Sequence, residues 1–121
     1  MPRYVDGFLF VIPKKRLAEY RTIAKKASKV WKDHGALDYV ECIGDDLKPH
    51  PGMGTSFGKA TKLKAGELVV FSWILYKSRA HRDAVNKKVM SDARMEAMMT
   101  DAESFDMKRM NFGGFTVLVQ A

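Results

Sequence analysis

Two stretches of the chain carry apolar side chains on both alternating faces, and the other elements can be placed around them. Glu67–Tyr76 reads ELVVFSWILY, with Val69, Phe71, Trp73 and Leu75 on one side and Leu68, Val70, Ile74 and Tyr76 on the other. A run that is apolar in both phases reads as a strand covered on both sides, the centre of a sheet. Tyr4 to Ile12 has the same character: Tyr4, Asp6, Phe8, Phe10 and Ile12 share one face, Val5, Gly7, Leu9 and Val11 the other. Ala36 to Gly44 alternates less strongly, with Leu37, Tyr39, Glu41 and Ile43 opposite Val40 and Cys42. Lys108 to Val119 reads as a last strand, and Gly113-Gly114 within it marks a bulge or a close backbone approach.

A period near 3.6 replaces the alternation between these strands. From Lys14 to His34 the apolar positions Leu17, Tyr20, Ile23, Ala24, Ala27, Val30 and Trp31 recur at intervals suited to one helical stripe. Pro13 ends the first strand and suits a first helical turn, and Gly35 is the expected stop. Ser78 caps a second helix that lies back over the central strand, and Ser91-Asp92 starts a short helical segment through Met99. Asp45 to Gly66, containing DDLKPHPGMG, is turn-forming, with one short extended piece expected near Phe57.

The order is strand, helix, strand, loop, strand, helix, strand, with no boundary inside residues 1–121. It predicts one α+β domain with a ferredoxin-like βαββαβ layout: a four-stranded antiparallel sheet carrying its helices on one face. The other face would then expose large apolar groups of the first and third strands, an improbable patch for a soluble monomer. A homodimer packed sheet to sheet is the expected remedy.

Composition narrows the picture further. The single cysteine, Cys42, excludes an internal disulfide framework and a cysteine-based zinc site and fits a reducing compartment. The N-terminal apolar run is short and broken by Asp6 and Pro13, and nothing approaches the ~20 apolar residues of a membrane span, so a cytoplasmic location is expected. Most of the net charge of +7 sits on the first helix, at Lys14, Lys15, Arg16, Arg21, Lys25, Lys26, Lys29 and Lys32. Opposite an apolar stripe these read as a solvated face in preference to a nucleic-acid or membrane surface.

Several motifs resemble one family. YVDGF from Tyr4, HGALDYVEC ending at Cys42, VVFSWILYKS ending at Ser78, RDAVNKKVMSDARM ending at Met95 and FDMKRMNFGGF ending at Phe115 are similar to the YbaA-like family of small bacterial proteins, a domain of unknown function. The resemblance spans nearly the whole chain and weakens between Asp45 and Gly66. It implies the dimeric α+β barrel superfamily, in which relatives include cofactor-free monooxygenases, lactone isomerases and haem-binding enzymes. It supplies no catalytic residues, because the family has no established activity.

In such a barrel small molecules bind between sheet and helices, so polar residues on apolar strands are the candidates for chemistry. Asp6, Glu41 and Ser72 are of this kind, and Arg109 opens the last strand. A buried carboxylate needs a partner or a raised pKa. One reading pairs Arg109 or a lysine with Asp6 or Glu41 as structure; the other makes one carboxylate a general base. His34 ends the helical stripe as a core group or as an acid–base group at a pocket mouth. Ser72, Trp73, Tyr76, Met95, Met98 and Phe105 are the expected pocket walls. His50 and His81 have no ligand spacing, no metal or other cofactor is expected, and GMGTSFGKAT lacks the glycine and hydroxyl positions of a phosphate loop. Three function classes stay open: a small-molecule binder or cofactor-free enzyme for an apolar or aromatic compound, a dimer that binds a macromolecule through the basic helix, and a purely structural or stress-related dimer.

Overall fold

Four strands, β1 (Tyr4–Pro13), β2 (Asp38–Ile43), β3 (Glu67–Tyr76) and β4 (Asn111–Thr116), form one sheet in the order β2-β3-β1-β4 in the computed structural model, which describes residues 1–121. Every neighbouring pair is antiparallel, and β1 and β3, apolar in both phases, are the two central strands. This is the ferredoxin-like α+β layout, with the three longer helices on one face. The register runs from Tyr4 opposite Tyr76 to Pro13 opposite Glu67, which puts Tyr4, Asp6, Phe8, Phe10 and Ile12 on the helix-covered face beside Leu68, Val70, Ser72, Ile74 and Tyr76.

Helix α1 (Leu17–Asp33) follows a single 3-10 turn at Lys14–Arg16. Its end is a Schellman motif: Gly35 N–H donates to the Lys32 carbonyl and Ala36 N–H to the Trp31 carbonyl. Gly35 sits at φ +109°, a backbone state that a side chain would disfavour. Helix α3 (Arg79–Met90) starts where Ser78 Oγ accepts the His81 N–H at 3.1 Å. Helix α4 (Ala93–Ala102) starts where Asp92 accepts the Arg94 N–H at 2.9 Å. No helix is long and apolar enough to cross a membrane.

Three readings of the loop and the last strand change. The piece near Phe57 is helical, not extended: Ser56 Oγ accepts the Lys59 N–H and opens the one-turn helix α2 (Phe57–Ala60). The last strand is shorter than Lys108 to Val119, because Lys108 N–H turns back onto Asp106 and Met110 N–H onto the Met107 carbonyl. Gly113-Gly114 makes no bulge, since pairing runs unbroken from Tyr4 opposite Thr116 to Leu9 opposite Asn111. Gly114 does meet a close approach, as the Tyr4 ring crosses it and an added Cβ would lie 2.8 Å from Tyr4 Cε2.

The far face of the sheet carries Val5, Leu9, Val11, Val69, Phe71, Trp73 and Leu75 of the central strands. Phe57 of α2 meets Phe71 there, with ring centroids 6.3 Å apart, and Val11 and Val69 are buried. Even so, that face is only partly covered within the chain: Phe71 is 45% and Phe115 61% exposed.

Candidate functional site

The covered face does not hold one continuous core. One buried cluster gathers Tyr4, Val30, Ile74, Tyr76, Val85, Val89, Met95 and Met98, and another gathers Phe10, Ile12, Val70 and Phe105. Phe8 touches both, and between them α1 presents Ala24 and Ala27, a turn apart, in a stripe otherwise made of large residues. Methyl groups cannot reach the sheet there. The result is a cavity of about 240 Å³, of whose 17 lining residues 15 are apolar, so polar chemistry is confined to one place. Its outer wall is α4 and the segment after it, through Met95, Met98, Met99, Met107 and Met110.

That polar place lies on β2 and β3. Glu41 and Ser72 are direct cross-strand partners, and both line the cavity. Tyr20 of α1 donates its hydroxyl to Glu41 Oε1, and Tyr39 donates to Oε2 at 2.8 Å. Burial, together with the charge of Glu41, pushes both phenols far above their ordinary range, so they are neutral donors at any ordinary pH. Ser72 is 7% exposed, and its Oγ has no hydrogen-bond partner within the chain; no sealed side-chain polar atom is left unpaired, so this hydroxyl opens on the cavity.

The outer wall is tied to α1 at both ends. At its start Arg94 reaches Asp33 at 2.8 Å, and His34 Nε2 lies 2.8 Å from Asp92 Oδ2. At its end Arg16 donates to the Ser104 carbonyl at 2.7 Å and lies over the Phe105 ring, 3.8 Å from its centre. Phe105 in turn meets Tyr20 edge-on at 5.7 Å.

The candidate residues therefore divide. Glu41, Ser72, Met95 and Met98 line the cavity, and Phe105 backs it through Tyr20. Trp73 points to the opposite face of the sheet, beside Val40 of β2. Tyr76 is wholly buried, its hydroxyl directed to Asn86 Oδ1 at 3.3 Å, an atom shared with Trp31 Nε1 at 3.2 Å. Asp6 pairs with Arg82 of α3 at 2.6 Å, away from the cavity, and not with Arg109 or a lysine. His34 sits at the helix junction just described. Arg109 precedes β4 and does not open it; it grips Glu67 and the Lys62 carbonyl at the far end of the sheet.

Sequence reasoning assigned no site role to Tyr20, Tyr39, Ala24 or Ala27. Two small residues one turn apart inside a large-residue stripe were the available signal for the void. The two tyrosines could be found only with the helix-to-sheet register in hand. No three His, Cys, Asp or Glu side chains converge as a metal site. On α1 and the turn before it, the basic residues Arg16, Lys29 and Lys32 already have partners, respectively Glu19, Asp33 and the Leu37 carbonyl.

The Arg109–Glu67 pair makes a pH prediction. Hydrogen bonding from Arg109 holds the Glu67 carboxyl down at about 2, from an ordinary 4.5. A depressed carboxyl stabilises the fold above its unfolded pKa, and that contribution fades as pH falls from 4.5 through about 2. Glu67→Gln should be less stable than wild type at pH 6, with the gap narrowing steadily between those two pH values. Urea midpoints taken across pH 2 to 6 check this; a constant gap would contradict it.

Residues 3–107 match the family described as "Protein of unknown function (DUF1428)". The chain is 44% identical over 117 residues to the uncharacterized protein YbaA of Escherichia coli strain K12, with 97% of each chain covered. Among solved structures it is similar to a dimeric ferredoxin-like protein from an uncultured marine organism, at 12% identity and TM-score 0.64 over the full length of both chains. It is also similar to a variant of SnoaB, a cofactor-independent oxygenase from Streptomyces nogalater, at 10% identity and TM-score 0.58, covering 99% of this chain and 97% of that one.

Proposed function

The chain belongs to the DUF1428 family of proteins of unknown function, and from its cavity we propose that it is a homodimeric protein that binds a small apolar or aromatic molecule between sheet and helices. The carrying observation is a void of about 240 Å³ with a single polar end. Native interiors are close-packed, and an unfilled apolar cavity leaves its walls without those contacts. A cavity of ~150 Å³ lined by apolar groups takes up benzene, so this one has room for one or two fused rings. The methionine wall can adapt to the shape of such a guest. Glu41 is the group placed to accept a proton from it, so any reaction run here without a cofactor starts from that carboxylate.

The dimeric state rests on the bare sheet face and on the dimeric neighbour of the same fold. The binding reading is tested by thermal shift with one- and two-ring aromatic compounds, since a ligand at ~100 times its Kd adds about 2.7 kcal/mol to the native state. Ala24→Phe fills the void from α1 at a position that is only half buried. Wild type should be stabilised by a subset of the panel, and the Ala24→Phe protein, folded by circular dichroism, should respond to none of it. Equal responses from both proteins would place binding elsewhere, and silence from wild type would remove the reading.

A further inference from the structure

The polar end of the cavity is asymmetric in what it can offer a guest. Tyr20 and Tyr39 have both committed their protons to Glu41, one to each carboxylate oxygen. A carboxylate can accept about four hydrogen bonds, so each oxygen retains acceptor capacity while neither tyrosine retains a donor. Glu41 is also the one formally charged residue in the lining, and none of the chain's ion pairs includes it. Beside it, Ser72 Oγ opens on the cavity with no partner within the chain, and its hydroxyl can accept or donate. The site therefore lacks a proton to donate except through one serine, and it has a negative charge with no counter-ion.

Resting on the cavity reading above, we infer that the guest carries a neutral hydrogen-bond donor on a flat apolar body, the O–H of a phenol or hydroxy-aromatic, set between Glu41 and Ser72, and that the site rejects carboxylic acids. An O–H donated to an ionised carboxylate is among the stronger hydrogen bonds, and a phenol sheds little hydration to make it. A guest carboxylate would face Glu41 at close range; two like charges ~4 Å apart at an effective dielectric constant of ~20 weaken binding about a thousandfold. An ammonium head would be attracted to Glu41 but would give up a large hydration energy in an apolar cavity, against the field of a chain carrying net charge +7.

The test is a matched series measured by titration calorimetry at pH 7: naphthalene, 2-naphthol, 2-naphthoate and 2-naphthylmethylammonium, with wild type, Glu41→Gln and Ser72→Ala. For wild type, 2-naphthol should bind at least about tenfold more tightly than naphthalene, and 2-naphthoate should not bind measurably. Glu41→Gln should narrow the preference for 2-naphthol and let 2-naphthoate in. Should Glu41→Gln fail to fold, Ser72→Ala serves as the second variant, with a several-fold loss for 2-naphthol and little change for naphthalene. Binding of 2-naphthoate as tight as that of 2-naphthol would overturn the inference and leave the cavity reading standing, and so would tighter binding of the ammonium compound. Binding of none of the four by wild type would remove both.

Discussion

Arg82→Ala is expected to destabilise the fold by about 3–5 kcal/mol, the range seen when one partner of a buried ion pair is removed. Asp6 lies in the middle of β1 on the helix-covered face, with 7% of its surface exposed, and the Arg82 side chain is 19% exposed. The guanidinium meets Asp6 Oδ1 at 2.6 Å and lies 4.8 Å from the centre of the Tyr4 ring. Without it a carboxylate is left among Tyr4, Ile74 and Tyr76 with no cation. The loss comes mainly from that stranded charge, so Asp6→Leu combined with Arg82→Met should recover most of it. Urea unfolding of wild type, Arg82→Ala and the double variant gives the answer, with unchanged m-values required for the comparison. If Arg82→Ala falls within ~0.5 kcal/mol of wild type, as an ordinary surface substitution does, the pair is not structural. Binding to the cavity should survive in all variants that fold, because the pair lies outside its lining.

The carboxylates show how far the sequence could be read. The alternation of β1 and β2 marked Asp6 and Glu41 as polar positions on otherwise apolar strands, and both lie on the helix-covered face of the sheet. Their partners were another matter. Arg82 is 76 positions from Asp6, and Tyr20 is 21 from Glu41. Such pairings depend on how a helix is rotated and shifted along the sheet, which periodicity does not encode. The architecture was legible for the opposite reason: strand faces, caps at Ser78 and Asp92 and the stop at Gly35 are local features with local causes. Arg109 illustrates the intermediate case. It lies close in sequence to a correctly expected strand, but a turn at Met107–Met110 delays that strand's start and sends the guanidinium to Glu67. The cavity was hidden because a void is the absence of side-chain volume. It appears only when Ala24 and Ala27 are set opposite Phe8 and Ile74 in space.

Phe71→Glu is expected to convert a dimer into a monomer, raising the dissociation constant at least about a hundredfold. Phe71 stands on central strand β3 with Leu9 of β1 on one side and Cys42 of β2 on the other, only partly covered by Phe57 on the far face. A second copy packed there would cover Phe71, Trp73, Leu75 and Phe115, a strip from which the ~800 Å² per partner of a standard interface can be assembled. Aromatic anchors near the middle of such a face carry much of the binding, often 2 kcal/mol or more each. A glutamate in the same place loses that contribution and adds an unpaired charge to the interface. The variant should still fold, because Phe71 is 45% exposed in the single chain. Light scattering on a sizing column reads the mass, and Cys42, an exposed thiol in the single chain, supplies an independent signal. Its reaction with a disulfide reagent should be slow in wild type and fast in Phe71→Glu. A wild-type monomer with a fast thiol would mean that the apolar face has another occupant. A Phe71→Glu protein that remains dimeric would move the contact to another surface, and in neither case would the cavity on the opposite side of the sheet be affected.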